Sequence, residues 1–150
     1  MTIHVGVYAP GLDNDPQPAP LACLRQLFDR LSQRTEVRVT HLYRSEPVEW
    51  DASRYLPKIP GRCEQILNQA GFDVVHFNSF VDIITPKMLS ASTVLTYHGD
   101  VHWELPGVTG SRIGDGARCA LETVKLPQYD KILTVSSGLG RRVRNRYGVF

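Results

Sequence analysis

An α/β domain built on a parallel sheet is the fold class this sequence predicts, and three observations predict it. Short runs rich in β-branched residues, Phe72-Asp73-Val74-Val75-His76, Thr93-Val94-Leu95-Thr96-Tyr97-His98-Gly99-Asp100 and Lys131-Ile132-Leu133-Thr134-Val135-Ser136-Ser137, are separated by segments of helix length. Their nearly continuous apolar stretches read as strands buried on both faces. Each run also breaks off at a polar residue. Open α/β sheets bind ligands outside the carboxyl ends of their strands, so these terminators mark the expected site edge.

The elements follow in order. Ile3-His4-Val5-Gly6-Val7-Tyr8 reads as the first strand, and the Pro- and Asp-rich segment from Pro10 to Pro18 cannot hold regular structure. Leu21, Leu24, Phe28 and Leu31 recur at helical spacing, which predicts a helix running to about Gln33. Glu36-Val37-Arg38-Val39-Thr40-His41-Leu42 alternates polar and apolar residues, as a strand with one less buried face does. Residues 43–57 read as an irregular, proline-punctuated loop. Cys63, Ile66, Leu67 and Ala70 give the next helix its stripe, with Gly71 placed for a left-handed C-cap. A strand ending at His76 follows, then a short helix near Pro86 to Leu89 and the strand before His98. A helix over 113–126 is stopped by Pro127. After the strand from Lys131 to Val135, Ser136 or Ser137 can N-cap a last helix with the stripe Leu139, Val143 and Tyr147, closed by Gly148. Strands alternating with helices make a doubly wound sheet, in one domain over 1–150.

Composition agrees. A chain of 150 residues with 42% hydrophobic and 21% charged residues is long enough for one real core. A net charge of +2, without aromatic and basic interleaving, argues against nucleic acid. Cys23, Cys63 and Cys119 are odd in number and widely spaced, which fits reduced cysteines in a cytoplasmic protein. Neither a signal peptide nor a membrane-spanning stretch is visible.

Several residues carry candidate chemistry. His98-Gly99-Asp100 directly follows a strand, so the imidazole can act as a base or orient an oxygen, with Gly99 letting backbone approach a ligand; a purely structural histidine is the alternative. His98 and His102 with Asp100 or His76 could form a metal site, but Gly99 argues against the rigid helical spacing such sites use, and no metal is expected. Ser136 and Ser137, between strand and helix, could hold a phosphate or carboxylate, or simply cap the helix. Gly138-Leu139-Gly140 imitates a dinucleotide fingerprint without its third glycine. Gly11 opens a loop of a kind that covers ligands in this architecture, or forms an ordinary surface turn. Arg141, Arg142, Arg144 and Arg146 crowd one helix, where they could meet an anionic membrane surface or an acidic partner, or be solvated. Trp103 could shield a ligand or plug its loop to the core, and Trp50 lies in the earlier loop.

The order of these pieces resembles the N-terminal domain of retaining glycosyltransferases of family 4, the glycogen-synthase-like group with the GT-B fold. The resemblance rests on Phe72-Asp73-Val74-Val75-His76-Phe77-Asn78, on Val94-Leu95-Thr96-Tyr97-His98-Gly99-Asp100, and above all on Tyr129-Asp130-Lys131-Ile132-Leu133-Thr134-Val135-Ser136-Ser137-Gly138-Leu139. It implies a Rossmann-like half of a GT-B architecture that receives a sugar or lipid-linked acceptor, while a C-terminal domain grips the nucleotide-sugar donor. It implies that His98 is catalytic, in the cleft beside the transferred sugar. Gly11 would lie near the donor diphosphate, and His76, Asn78, Gly99, Asp100, Ser136 and Ser137 would line the substrate side. No cofactor is implied. Two features depart from the family pattern: Gly11 is single where a Gly-Gly pair is common, and no Glu-x7-Glu occurs in the chain.

The resulting expectation is the acceptor-side domain of a hexosyltransferase of carbohydrate biosynthesis, inactive without its second domain and cytoplasmic or peripheral at a membrane. The rival expectation is a freestanding, non-catalytic α/β module that binds a small anionic ligand or a protein partner. Either way, His76, His98 and Ser136 should share one carboxyl edge, since crossovers of one handedness keep the strands parallel.

Overall fold

The computed structural model describes residues 2–9, 19–42, 61–78, 80, 81, 84–99 and 112–149, with backbone alone at 19–23, 112, 114 and 115. In chain order these form strand β1 (Ile3–Tyr8), helix α1 (Ala19–Ser32), β2 (Val37–His41), α2 (Arg62–Gln69), β3 (Val74–Phe77), a 3-10 turn (Pro86–Met88) and β4 (Ser92–Tyr97). Helix α3 (Arg112–Lys125), a second 3-10 turn (Leu126–Gln128), β5 (Lys131–Thr134) and α4 (Ser137–Tyr147) complete them. The strands form one sheet in the order β2-β1-β3-β4-β5, with every pairing parallel. The doubly wound fold predicted from the periodicity is the fold observed.

Alternation along each strand divides the core into two layers. On one face, Leu24 and Phe28 of α1 close over Val7 and Ala9, with Val5, Leu31 and Val39 beside them. On the other, Val75, Phe77, Leu95 and Ile132 meet Cys63 and Leu67 of α2 and Leu139, Val143 and Tyr147 of α4. The predicted stripe of α4 is thus the buried one, and in α2 Cys63 and Leu67 are buried while Ile66 and Ala70 remain half-buried. Gly71 and Gly148 take the left-handed conformation (φ +65° and +66°) that ends a helix without a Cβ clash. Gly140 lets α4 approach β5: a Cβ there would stand 2.9 Å from Thr134 Oγ1.

Two aspartates pin the amino end of the sheet. Asp73 accepts from the His4 backbone N–H at 2.7 Å, while its own N–H and C=O bond His4 and Ser92. Asp130 accepts from both the N–H and the hydroxyl of buried Thr93, at 2.7 and 2.9 Å, and returns its own N–H to that hydroxyl. Each aspartate stands just before its strand, so the motif Asp-strand-polar residue has a structural end and a site end.

One boundary differs from the sequence expectation. β3 does not stop at His76: Phe77 continues the ladder, paired with Tyr8 and Leu95, and is fully buried. A polar residue within a strand ends nothing if it finds a partner, and His76 finds Thr96.

Candidate active-site edge

Parallel pairing brings the carboxyl ends of all five strands to one side, and the order reverses at β1, with β2 on one flank and β3 on the other. That reversal is where doubly wound sheets open a crevice for ligands. Here the Asn78 backbone N–H donates to Tyr8 C=O at 2.9 Å, tying the chain just past β3 to the end of β1.

His98 is the first residue after β4, half-buried, as its position in the sequence predicts. Its Nε2 lies 3.0 Å from Asn78 Oδ1, and Asn78 is itself buried. Two rungs therefore lie on the α1 face of β3 and β4: His76 with Thr96 at 2.8 Å, then Asn78 with His98 nearer the edge. The alternation that assigns His76 and Asn78 to one face assigns Thr96 and His98 to that face too. His76 also presents its ring to the edge of Phe28, centroids 5.4 Å apart. Burial, and secondarily the charge of His98, holds the His76 pKa down to about 4. His76 is therefore neutral at physiological pH, a strand-interior member of the polar ladder and not its terminator.

Ser136 lies at the same end of the sheet, two residues past β5. Its hydroxyl caps α4 by accepting from the Leu139 N–H at 3.2 Å, and its C=O accepts from Gly140 N–H at 3.0 Å and Thr134 Oγ1 at 3.2 Å. Of the two serines predicted as caps, Ser136 is the one used. Ser137, the first residue of α4, is exposed. Gly99 is half-buried beside His98. Gly11 and Asp100 lie outside the described residues, as do His102, Trp50 and Trp103.

Behind the edge is a buried carboxylate that sequence reasoning missed. Glu122 of α3, with no exposed surface, accepts from Tyr97 Oη at 2.9 Å, Tyr147 Oη at 3.3 Å and Arg118 Nε at 3.3 Å. It locks the residue preceding His98 to α3 and α4. No local pattern singles out Glu122, because its partners Tyr97 and Tyr147 each lie 25 positions away on other elements. Among the described residues, no cluster of three His, Cys, Asp or Glu side chains could hold a metal ion. Nor, among them, is any helix long and apolar enough to cross a membrane. Cys63 is buried and Cys119 half-buried.

No curated protein and no solved structure gives a significant match to this chain. The family model described as Glycosyltransferase Family 4 does match, over residues 1–150. With a parallel α/β sheet and a histidine at the carboxyl edge already in place, that match covers the whole chain, which belongs to glycosyltransferase family 4.

Proposed function

We propose that the chain is the acceptor-side, Rossmann-like half of a retaining GT-B enzyme that transfers a hexose from a nucleotide-sugar to a sugar or lipid-linked acceptor. The observation that carries this reading is His98, set directly after β4 at the carboxyl edge of the sheet and braced by buried Asn78. A braced imidazole at that edge can orient the hydroxyls of the transferred sugar and the acceptor. Ser136, Ser137 and Gly99 line the adjoining edge, with Gly11 and Asp100 assigned to it from the sequence. His76 supports the ladder from within.

Charge on the leaving diphosphate needs cationic groups and helix N-termini, supplied mainly by a second α/β domain that grips the donor, with no metal required. The exposed Arg141, Arg142, Arg144 and Arg146 of α4 add a weak, salt-sensitive attraction to an anionic membrane surface, consistent with a cytoplasmic enzyme peripheral to the membrane.

Two transfer assays test the reading. The isolated 150-residue chain should fold and transfer no sugar, and His98→Ala in a protein carrying both domains should lower turnover at least about 10²-fold with stability changed by no more than about 1–2 kcal/mol. Wild-type turnover in that variant would return His98 to a structural role. Robust transfer by the isolated chain would refute the two-domain requirement, and ligand binding without transfer by any form of the protein would favour a non-catalytic binding module.

A further inference from the structure

We propose that Asn78 is a positioning residue that holds His98 as its Nε2–H tautomer, so that Nδ1 offers a lone pair at the carboxyl edge and the site accepts a neutral hydroxyl donor in preference to an anion. The inference rests on the reading of His98 as a sugar-facing residue and specifies what that residue recognises.

The geometry begins with the asparagine. Its backbone is tied to β1 through Tyr8 and its side chain is buried, so its amide is held by the fold and not by solvent. The oxygen Oδ1 faces His98 Nε2 at 3.0 Å. A carbonyl oxygen only accepts, so Nε2 must carry the hydrogen. A neutral imidazole has one N–H, which leaves the lone pair on Nδ1. Among the described residues, no protein group hydrogen-bonds that nitrogen.

The neighbouring histidine does not compete for this role. His76 spends its Nε2 on Thr96 and packs its ring against Phe28, one rung deeper in the sheet. A lone pair at Nδ1 attracts a hydroxyl proton and repels a phosphate oxygen. The same edge therefore separates two tasks: the imidazole reads a sugar hydroxyl, and the diphosphate is met elsewhere.

The test is spectroscopic and uses the 150-residue chain labelled with 15N, at a pH well above the ordinary imidazole range. Long-range 1H–15N correlation should show the His98 ring protonated at Nε2, with an imide proton protected from exchange. Asn78→Asp keeps an acceptor in place and should retain both features, whereas Asn78→Leu should lose the protected proton. A wild-type ring protonated at Nδ1, or a protected Nε2–H that survives Asn78→Leu, would overturn the proposal. If the leucine variant fails to fold, the wild-type ring and the aspartate variant still decide: loss of the Nε2–H form in Asn78→Asp also overturns it.

In the two-domain protein, Asn78→Leu should lower turnover roughly 10- to 100-fold with most of it restored in Asn78→Asp. The two ideas fail separately. Wild-type turnover of His98→Ala removes the sugar-facing reading whatever the tautomer, and the wrong tautomer removes the role of Asn78 even if His98→Ala is inactive.

Discussion

Acid should destabilise this domain through His76, and the size of the effect follows from its burial. The residue is 8% exposed, with its ring bonded to Thr96 and set edge-on against Phe28. Burial, then the charge of His98, lowers its pKa from 6.5 to about 4. In the unfolded chain the ring titrates near its ordinary value. Well above pH 6.5 both states are neutral there and the full stability is present. As the pH falls from 6.5 towards 4, the unfolded state gains a proton that the native state refuses, so stability is lost across that window and levels off below it. A gap of about 2.5 pH units at about 1.4 kcal/mol each gives roughly 3 kcal/mol, a large share of a typical folding free energy.

Carboxylates titrate in part of the same window, so the experiment compares two proteins. Urea denaturation of the wild type and of His76→Phe, at about pH 7 and about pH 4.5, isolates the histidine. The variant loses the hydrogen bond to Thr96 but has nothing to protonate at that position. Its deficit relative to the wild type should shift in its favour by about 2–3 kcal/mol on acidification. Parallel curves for the two proteins would refute the reasoning, as would an NMR titration placing the His76 midpoint near its ordinary value.

Other perturbations test the packing around the edge. Glu122→Leu removes the acceptor shared by Tyr97 and Tyr147 and should cost about 3 kcal/mol by denaturant melts, while Tyr147→Phe should cost about 1 kcal/mol. Asp130→Ala breaks both bonds to Thr93 and should cost about 2–3 kcal/mol, with faster amide exchange at Thr93. Gly140→Ala should destabilise by about 1 kcal/mol, because the new Cβ would meet Thr134 Oγ1; in a Thr134→Ala background the same change should stabilise by a similar amount, through helix propensity. Replacing Arg141, Arg142, Arg144 and Arg146 by Gln should abolish salt-sensitive sedimentation with anionic vesicles, and equal retention on neutral vesicles would remove the electrostatic reading.

Much of the fold was legible because it is local. Helical stripes such as Leu139, Val143 and Tyr147 declare which face of a helix is buried, and the serine and glycine at its ends declare its limits. The continuous apolar strands called for a parallel sheet, and a parallel sheet gathers His98 and Ser136 at one end. The first helix begins two residues before the expected stripe, a fraying of boundaries that periodicity does not resolve.

By itself, then, the sequence determined the class of fold, the caps, the buried stripes and the strand after which His98 stands, since each depends on neighbours within a turn or two of chain. Only the tertiary structure decided that Asn78 holds His98, that His76 lies within the ladder and remains neutral, and that Glu122 is buried behind Tyr97. Asn78 and His98 are twenty positions apart, as are His76 and Thr96, and they meet only because β3 lies beside β4 in one register. A slip of one residue would turn these side chains to the opposite face, so their partners are a property of the pairing and not of either strand alone.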